Sequence, residues 1–427
     1  MTSGITVKKP KKIFYGWWVV VASTIISAVG GGLHFYGFTA LFLPVSKDLG
    51  LSRMETSIVM SLARLEGAIE GPLVGWLIDR FGARRLMLIG VLMFGAGFMA
   101  MSLMNSFIVF ILLFAGLVTI GYQTGVMHSV YALSNKWFIR NRSKATGIVN
   151  ASLGIGGATI VPVLGWLIVQ YGWRTAVVVA GAAIFVICLP LLFIIRNLPE
   201  DKGLLPDGDE VKTEEADGKP GGDVSEYSFT VKEALQTPVF WVLGVAHILR
   251  SFVVGGIWVH MIPLLVFKGL DEQAAANAIS ILLFITIPVR IIFGWLGDIY
   301  PKRHLLVFCC FLGTVALVIL LTLQSLWQVY LFVFIFALSY GSNPLNISII
   351  GEYFGRKNFT TIRGAGALVY SLGIITGPIY AGYIYDVTQS YQVAFITFIV
   401  FYTLAGIVFF FARRPQPPAT VTGYLTR

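Results

Sequence analysis

Five ionisable side chains stand inside long apolar runs of this chain: Arg64, Glu66, Glu70, Arg250 and Arg290. At bilayer depth such a group costs several kcal/mol unless it meets a partner or a wet cavity, so each marks a candidate site. The planar fork of a guanidinium matches a carboxylate, which makes Arg290, Arg64 and Arg250 candidate anion contacts. For Arg290 the competing reading is snorkelling to the membrane face or pairing with a carboxylate. Arg64 has Glu66 and Glu70 as near neighbours in sequence, but both point roughly 120 to 160° away around a helix. Those two glutamates share a face, four residues apart. They fit either a proton carrier or a pairing partner for a basic group on a neighbouring helix. Arg250 lies on one helical face with His247, Ser251, Val254 and Trp258; it is a second anion contact or the partner of a carboxylate such as Glu70. His247 adds an imidazole that titrates near neutral pH.

The elements that must position these groups follow from composition. Of 427 residues, 56% are hydrophobic and 12% charged, against about 25% charged in an ordinary soluble chain. That much apolar surface belongs in lipid, and 46 glycines suit helices that pack closely there. Apolar runs bounded by charge, Pro or Gly predict twelve spans, at 15–43, 53–78, 86–104, 107–134, 145–170, 175–195, 239–267, 273–297, 304–323, 327–350, 362–385 and 391–412. The first is too long for a signal-peptide core and lacks a small-residue cleavage site, so it reads as a retained span. Cys188, Cys309 and Cys310 lie in apolar segments without metal-ligand or disulfide spacing, and no metal site is expected.

One long polar stretch, from Arg196 to about Thr237, carries eleven of the 21 acidic residues. Its Pro206, Pro220 and Gly221-Gly222 mark a solvated linker. The organisation expected is therefore 1–196 as a first six-helix bundle, 197–237 as a cytoplasmic linker and 238–427 as a second six-helix bundle. Of the 31 basic residues, 24 fall on the side that holds both termini and the linker. Lys47, Arg53, Arg174 and Lys268 fall on the other side, and Arg64, Arg250 and Arg290 within spans. By the positive-inside rule both termini are cytoplasmic. Basic residues in short clusters between apolar runs also exclude a nucleic-acid binder.

The loop after the second span contains Gly75, Asp79, Arg80, Gly82, Arg84 and Arg85; the loop after the eighth repeats Gly294 and Asp298, followed by Lys302-Arg303. Matching signatures at matching places indicate duplicated halves of parallel topology. Gly75 would allow close helix contact, Asp79 could accept from a helix N-terminus, and the arginines would hold the cytoplasmic side. The competing reading is plain positive-inside anchoring. With this signature the sequence resembles the major facilitator superfamily along its whole length. Trp137-Phe138 with Arg142, Tyr171-Gly172-Trp173-Arg174, Lys202-Gly203-Leu204 and Phe240-Trp241 give it a closer resemblance to the monocarboxylate porters and oxalate:formate antiporters.

The resemblance implies an all-α polytopic membrane protein, two six-helix bundles related by a pseudo-two-fold axis. It makes the signature loop a conformational latch for the outward-open state. It places spans 1, 4, 7 and 10 around a central cavity, which raises His34, Tyr36, His128, Tyr340 and Asn343 to candidate contacts beside a packing role. Arg290 would hold the substrate carboxylate, with Arg64 assisting from the matching face of span 2. In span 11 Tyr370 stands where the oxalate porters use a Lys nearby, so a clamped dicarboxylate is disfavoured. Thr286 replaces the Asp that monocarboxylate porters carry four residues before this Arg, which counts against proton coupling by that route. Gly154, Gly156 and Gly157 in span 5, with Gly373 and Gly377 in span 11, permit close or sliding helix contacts.

The expectation is a secondary transporter for a small organic anion, a monocarboxylate, by proton symport or exchange against a counter-anion. Efflux of an apolar or aromatic compound, or a sensor built on a transporter fold, are the alternatives. No enzyme activity or cofactor is expected, and no Walker-type loop for ATP is present. The protein would be a monomer in a cell membrane, a bacterial inner membrane being the expected one.

Overall fold

A computed structural model describes residues 14–138, 141–208, 228–355 and 359–416, apart from some side chains that include Asp79, Arg142 and Asp298. Much of the expected linker, and the cations Lys8, Lys9, Lys11, Lys12, Arg140, Arg356 and Lys357, lie outside the described residues. Twelve long helices carry the fold: α1 Tyr15–Asp48, α2 Arg53–Phe81, α3 Ala83–Met101, α4 107–137, α5 142–171, α6 173–191, α7 Pro238–Phe267, α8 Glu272–Ile299, α9 Lys302–Leu321, α10 Leu326–Phe354, α11 Phe359–Thr388 and α12 Gln392–Phe411.

Among the described residues ten stretches are long and apolar enough to cross a bilayer, and two physical details account for the other two helices. Ala145–Leu191 is a pair, because Gly172 at φ 80° and ψ 158° breaks it; a side chain would strain that conformation. The 29-residue α2 is about 43 Å long, and Arg64, Glu66 and Glu70 near its middle, with charges at both ends, make it less apolar than its neighbours. Helix starts are set by side-chain caps at Ser52, Ser106, Thr237 and Asp271, each accepting from the backbone N–H three residues on. The span edges read from sequence fall close to these bounds. The largest difference is at the end of α1, which runs on to Asp48; at the ends of α3 and α6, Leu103, Met104 and Leu192 to Ile195 are apolar but lie outside the helix. Hydropathy marks what lipid accepts and does not mark where a helix stops.

Helices α1 to α6 pack chiefly with one another, and α7 to α12 likewise. The two sets meet along three seams, α1 with α7, α2 with α11, and α5 with α8. Adding six to each helix number turns the α2/α11 seam into the α8/α5 seam and leaves the α1/α7 seam unchanged. That exchange is what a two-fold axis between parallel repeats produces.

The seams are one-sided. On α2/α11 the contacts run from Arg53 with Asp386 to Arg64 with Ile374. On α5/α8 they run from the amide of Gln273 on the Pro162 carbonyl, through Gly157 against Leu283, to Gly154 near Ile287. Past these points, toward the end of the bundle that bears both chain termini, Leu65, Ile69, Leu73, Leu368 and Leu372 are exposed. The molecule is closed at the end away from the termini and open at the terminal end.

Candidate functional site

At the inner limit of the closed part, residues from both halves converge. Tyr36 of α1, Trp258 of α7 and Tyr340 of α10 form an aromatic wall, with ring centroids 5.1 Å apart for the first pair and 5.0 Å for the second. The Arg290 guanidinium of α8 sits 5.7 Å from the Tyr340 ring centre, and the Tyr36 hydroxyl lies beside both Arg290 and Tyr340. Tyr131 of α4 also faces Arg290 and gives its hydroxyl to Asn150 Oδ1 of α5 at 2.7 Å. A cavity of about 330 Å³ opens there, lined by Arg290, Asn150, Asn343, Pro344, Ile287 and Gly147 among others.

Among the described residues Arg290 has no carboxylate partner, and its Nε is buried without an acceptor. Arg64 is fixed differently: Nη1 donates to the Ile374 carbonyl across the α2/α11 seam at 2.9 Å. Its Nε is likewise unpaired, its guanidinium stands 5.6 Å from the Phe35 ring centre, and it faces Tyr340. Two cations from opposite halves thus approach the same tyrosine with donors to spare, and an anion would complete both.

The other candidates lie elsewhere. His34 is inside the first half, its Nε2 3.0 Å from the Thr119 hydroxyl, stacked on Tyr122 and Phe114. Arg250 is buried in the second half, where it donates to Ser342 Oγ at 3.2 Å, and among the described residues no ion pair joins it to Glu70. His247 shares its Nδ1 with the Leu243 carbonyl at 2.7 Å and its ring packs on Tyr370 and Phe409. Tyr370 donates to the Arg363 carbonyl at 3.4 Å. His128 is half-buried, with an unpaired Nε2. Glu66 and Glu70 lie side by side, with Glu66 Oε1 and Oε2 and Glu70 Oε1 buried and without a donor. A proton shared between them would supply the missing donor.

In the signature loops nothing lies within 4 Å of where a Cβ would stand on Gly75 or Gly294. The close contact expected of these glycines is not made in this conformation, because the terminal end is splayed. Arg80 is exposed and lies over Trp76 and Phe81. Arg84 instead ties α3 to the end of α6, its backbone N–H on Asn197 Oδ1 at 2.8 Å and its Nε on the Leu192 carbonyl at 3.1 Å.

A lock at the closed end was not singled out from sequence. Asp386 at the end of α11 accepts the backbone N–H of Arg53 at 3.0 Å and of Met54 at 2.8 Å, so one carboxylate caps the N-terminus of α2. The Arg53 guanidinium lies 3.3 Å above the Tyr385 ring centre and donates to Tyr391 Oη at 2.6 Å. His260 of α7 joins Tyr391 at 2.9 Å to Ser57 of α2 at 2.8 Å. Replacing Asp386 with Ala is expected to weaken the closed end by about 2 kcal/mol, the worth of its charged hydrogen bonds. That is about 30-fold in the closed-to-open ratio. Spin-label distances between the start of α2 and the end of α11 would report it as a longer-distance population; an unchanged distribution would show that the lock carries no energy.

Among the described residues, long apolar helices closed at one end over a central cavity, with two guanidiniums that lack a carboxylate partner, have the architecture of a membrane transporter. The comparisons agree. The sequence model of the Major Facilitator Superfamily matches residues 20–341 and 268–424. "Monocarboxylate transporter 12" of Xenopus laevis is 23% identical, over 91% of this chain and 86% of the relative. "Monocarboxylate transporter 4" of Gallus gallus is 26% identical, over 95% and 85%. Among solved structures, a bacterial homologue of the human lysosomal transporter Spinster, in an inward-facing and unoccupied conformation, has a TM-score of 0.74 at 18% identity, over 96% of this chain and 100% of that one. The nucleoside transporter NupG has 0.72 at 10% identity, over 93% and 99%. The chain belongs to the Major Facilitator Superfamily; it is a multi-pass membrane transporter and not an enzyme.

Proposed function

We propose that this protein moves a small monocarboxylate across a cell membrane by alternating access. Arg290 carries the reading: a guanidinium at the cavity wall with no carboxylate partner among the described residues, beside the Tyr36 hydroxyl and the Tyr340 ring. The relatives named monocarboxylate transporters support the same cargo class. With both termini cytoplasmic, the open terminal end is the cytoplasmic one, and residues 1–196 and 238–427 rock as two bodies about the seams. The protein works as a monomer, and a bacterial inner membrane is the setting we favour.

Labelled lactate or pyruvate offered to proteoliposomes tests the proposal. Uptake or exchange competed by other small monocarboxylates supports it; transport of apolar cations alone, with no carboxylate moved, overturns it. Coupling to protons is assigned to the Glu66–Glu70 pair, the carboxylates that lack a donor at this depth. One proton per anion gives about tenfold accumulation per pH unit of inward gradient. Glu66→Gln with Glu70→Gln should abolish that accumulation and leave anion exchange at equal pH intact. Accumulation equal to wild type in the double variant would assign coupling elsewhere.

A further inference from the structure

Outside the transport path, a groove of about 620 Å³ lies where the first turn of α3 meets the end of α6. Arg84 and Arg85 stand at its head with Asn197, and Leu88, Leu189 and Phe193 form its wall. Arg85 is exposed, and among the described residues neither arginine has a carboxylate partner. The first turn of α3 holds no acidic residue to offset them. Leu88 is 46% exposed and Phe193 74% exposed, and Ile89, Leu92 and Val186 continue the exposed apolar strip along both helices. Such a strip on a membrane helix faces acyl chains, and the two guanidiniums sit at the depth of the headgroups.

We infer that this groove binds one anionic phospholipid, its phosphate against Arg85 and Arg84 and an acyl chain along Leu88, Leu189 and Phe193. Charge selects the headgroup, since two cations without a carboxylate partner among the described residues favour a net negative lipid over a zwitterion, whose ammonium offsets its phosphate. The wall selects a lipid over free phosphate, because the apolar length is filled only by a chain. The site is separate from the Arg290 cavity and does not depend on which anion is carried.

Native mass spectrometry of the whole protein, released from mixed phosphatidylglycerol and phosphatidylcholine of identical chains, tests this. Phosphatidylglycerol should be retained in preference. Retention should fall about fivefold in Arg85→Gln and about 30-fold with Arg84→Gln added, while Arg303→Gln has no effect. Arg85 is exposed, so its single variant keeps the test valid if the double variant fails to fold. Equal retention of the two lipids, or retention in Arg85→Gln that matches wild type, overturns the inference. So does displacement of the lipid by millimolar inorganic phosphate alone, which would leave the acyl wall without a role.

Discussion

Arg290→Ala should reduce the initial rate of labelled lactate uptake by about 30-fold to several thousand-fold, because truncating one member of a buried charged pair costs about 2 to 5 kcal/mol. The loss should appear with the protein folded, since among the described residues Arg290 makes no ion pair and its removal leaves no buried charge behind. Arg290→Lys separates charge from geometry. An ammonium keeps the field but not the fork, so an intermediate rate is expected. Arg64→Ala should act differently, because its Nη1 also holds the Ile374 carbonyl across the α2/α11 seam; it should loosen the closed end as well as weaken anion binding. Wild-type uptake by Arg290→Ala would remove the anion site from this position altogether.

The second large effect concerns the scaffold. A Cβ on Gly156 of α5 would fall within the carbonyl of Ala28 on α1, and one on Gly32 would lie 2.7 Å from the Gly156 carbonyl. Both obstacles are backbone, which no rotamer change can move. Gly156→Ala is therefore expected to cost more than the roughly 1 to 3 kcal/mol of ordinary overpacking, with a fall in thermal stability and in folded yield. Gly147, on the same helix, has nothing within 4 Å of its Cβ position. Gly147→Ala should be neutral or gain up to about 1 kcal/mol of helix propensity. Thermal melts of the two variants in one detergent decide it; equal melts would mean that α1 and α5 can part without cost.

Most of the fold was legible in the amino-acid order because lipid imposes a length and an apolarity on every span. α2 shows the limit: its charges reduce its hydropathy, so the run at 53–78 is the least apolar of those that mark a span. The site was legible in part. Arg290, Arg64, Tyr36 and Tyr340 converge, whereas His34, His247 and Arg250 are enclosed within their own halves. Sequence separates these groups poorly, because in lipid the outer faces of a helix are as apolar as its buried ones. No amphipathic stripe then tells a cavity face from a bundle face. Tyr131, Asn150 and Trp258 carry polar atoms at the right depth, which is the signal that could have singled them out. The lock of Arg53, Asp386 and Tyr391 was hidden for another reason. Its members sit at span ends, where charge is expected for topology, and they are joined over more than 330 residues of chain.

α1 and α4 are not uniform helices. Gly31–Tyr36, Leu112–Thr119 and Gln123–His128 are wound with π-type turns, each holding one residue more than an α turn. Tyr36 ends the first of these stretches and His128 the last. Such a turn is a reservoir of slack. Absorbing its extra residue into α geometry would rotate the following side chains by about 100° and advance them by about 1.5 Å, with the far end of the helix still anchored. The two helices can therefore turn the side chains that follow these stretches locally, by a screw motion of a few residues that needs no movement of the whole bundle.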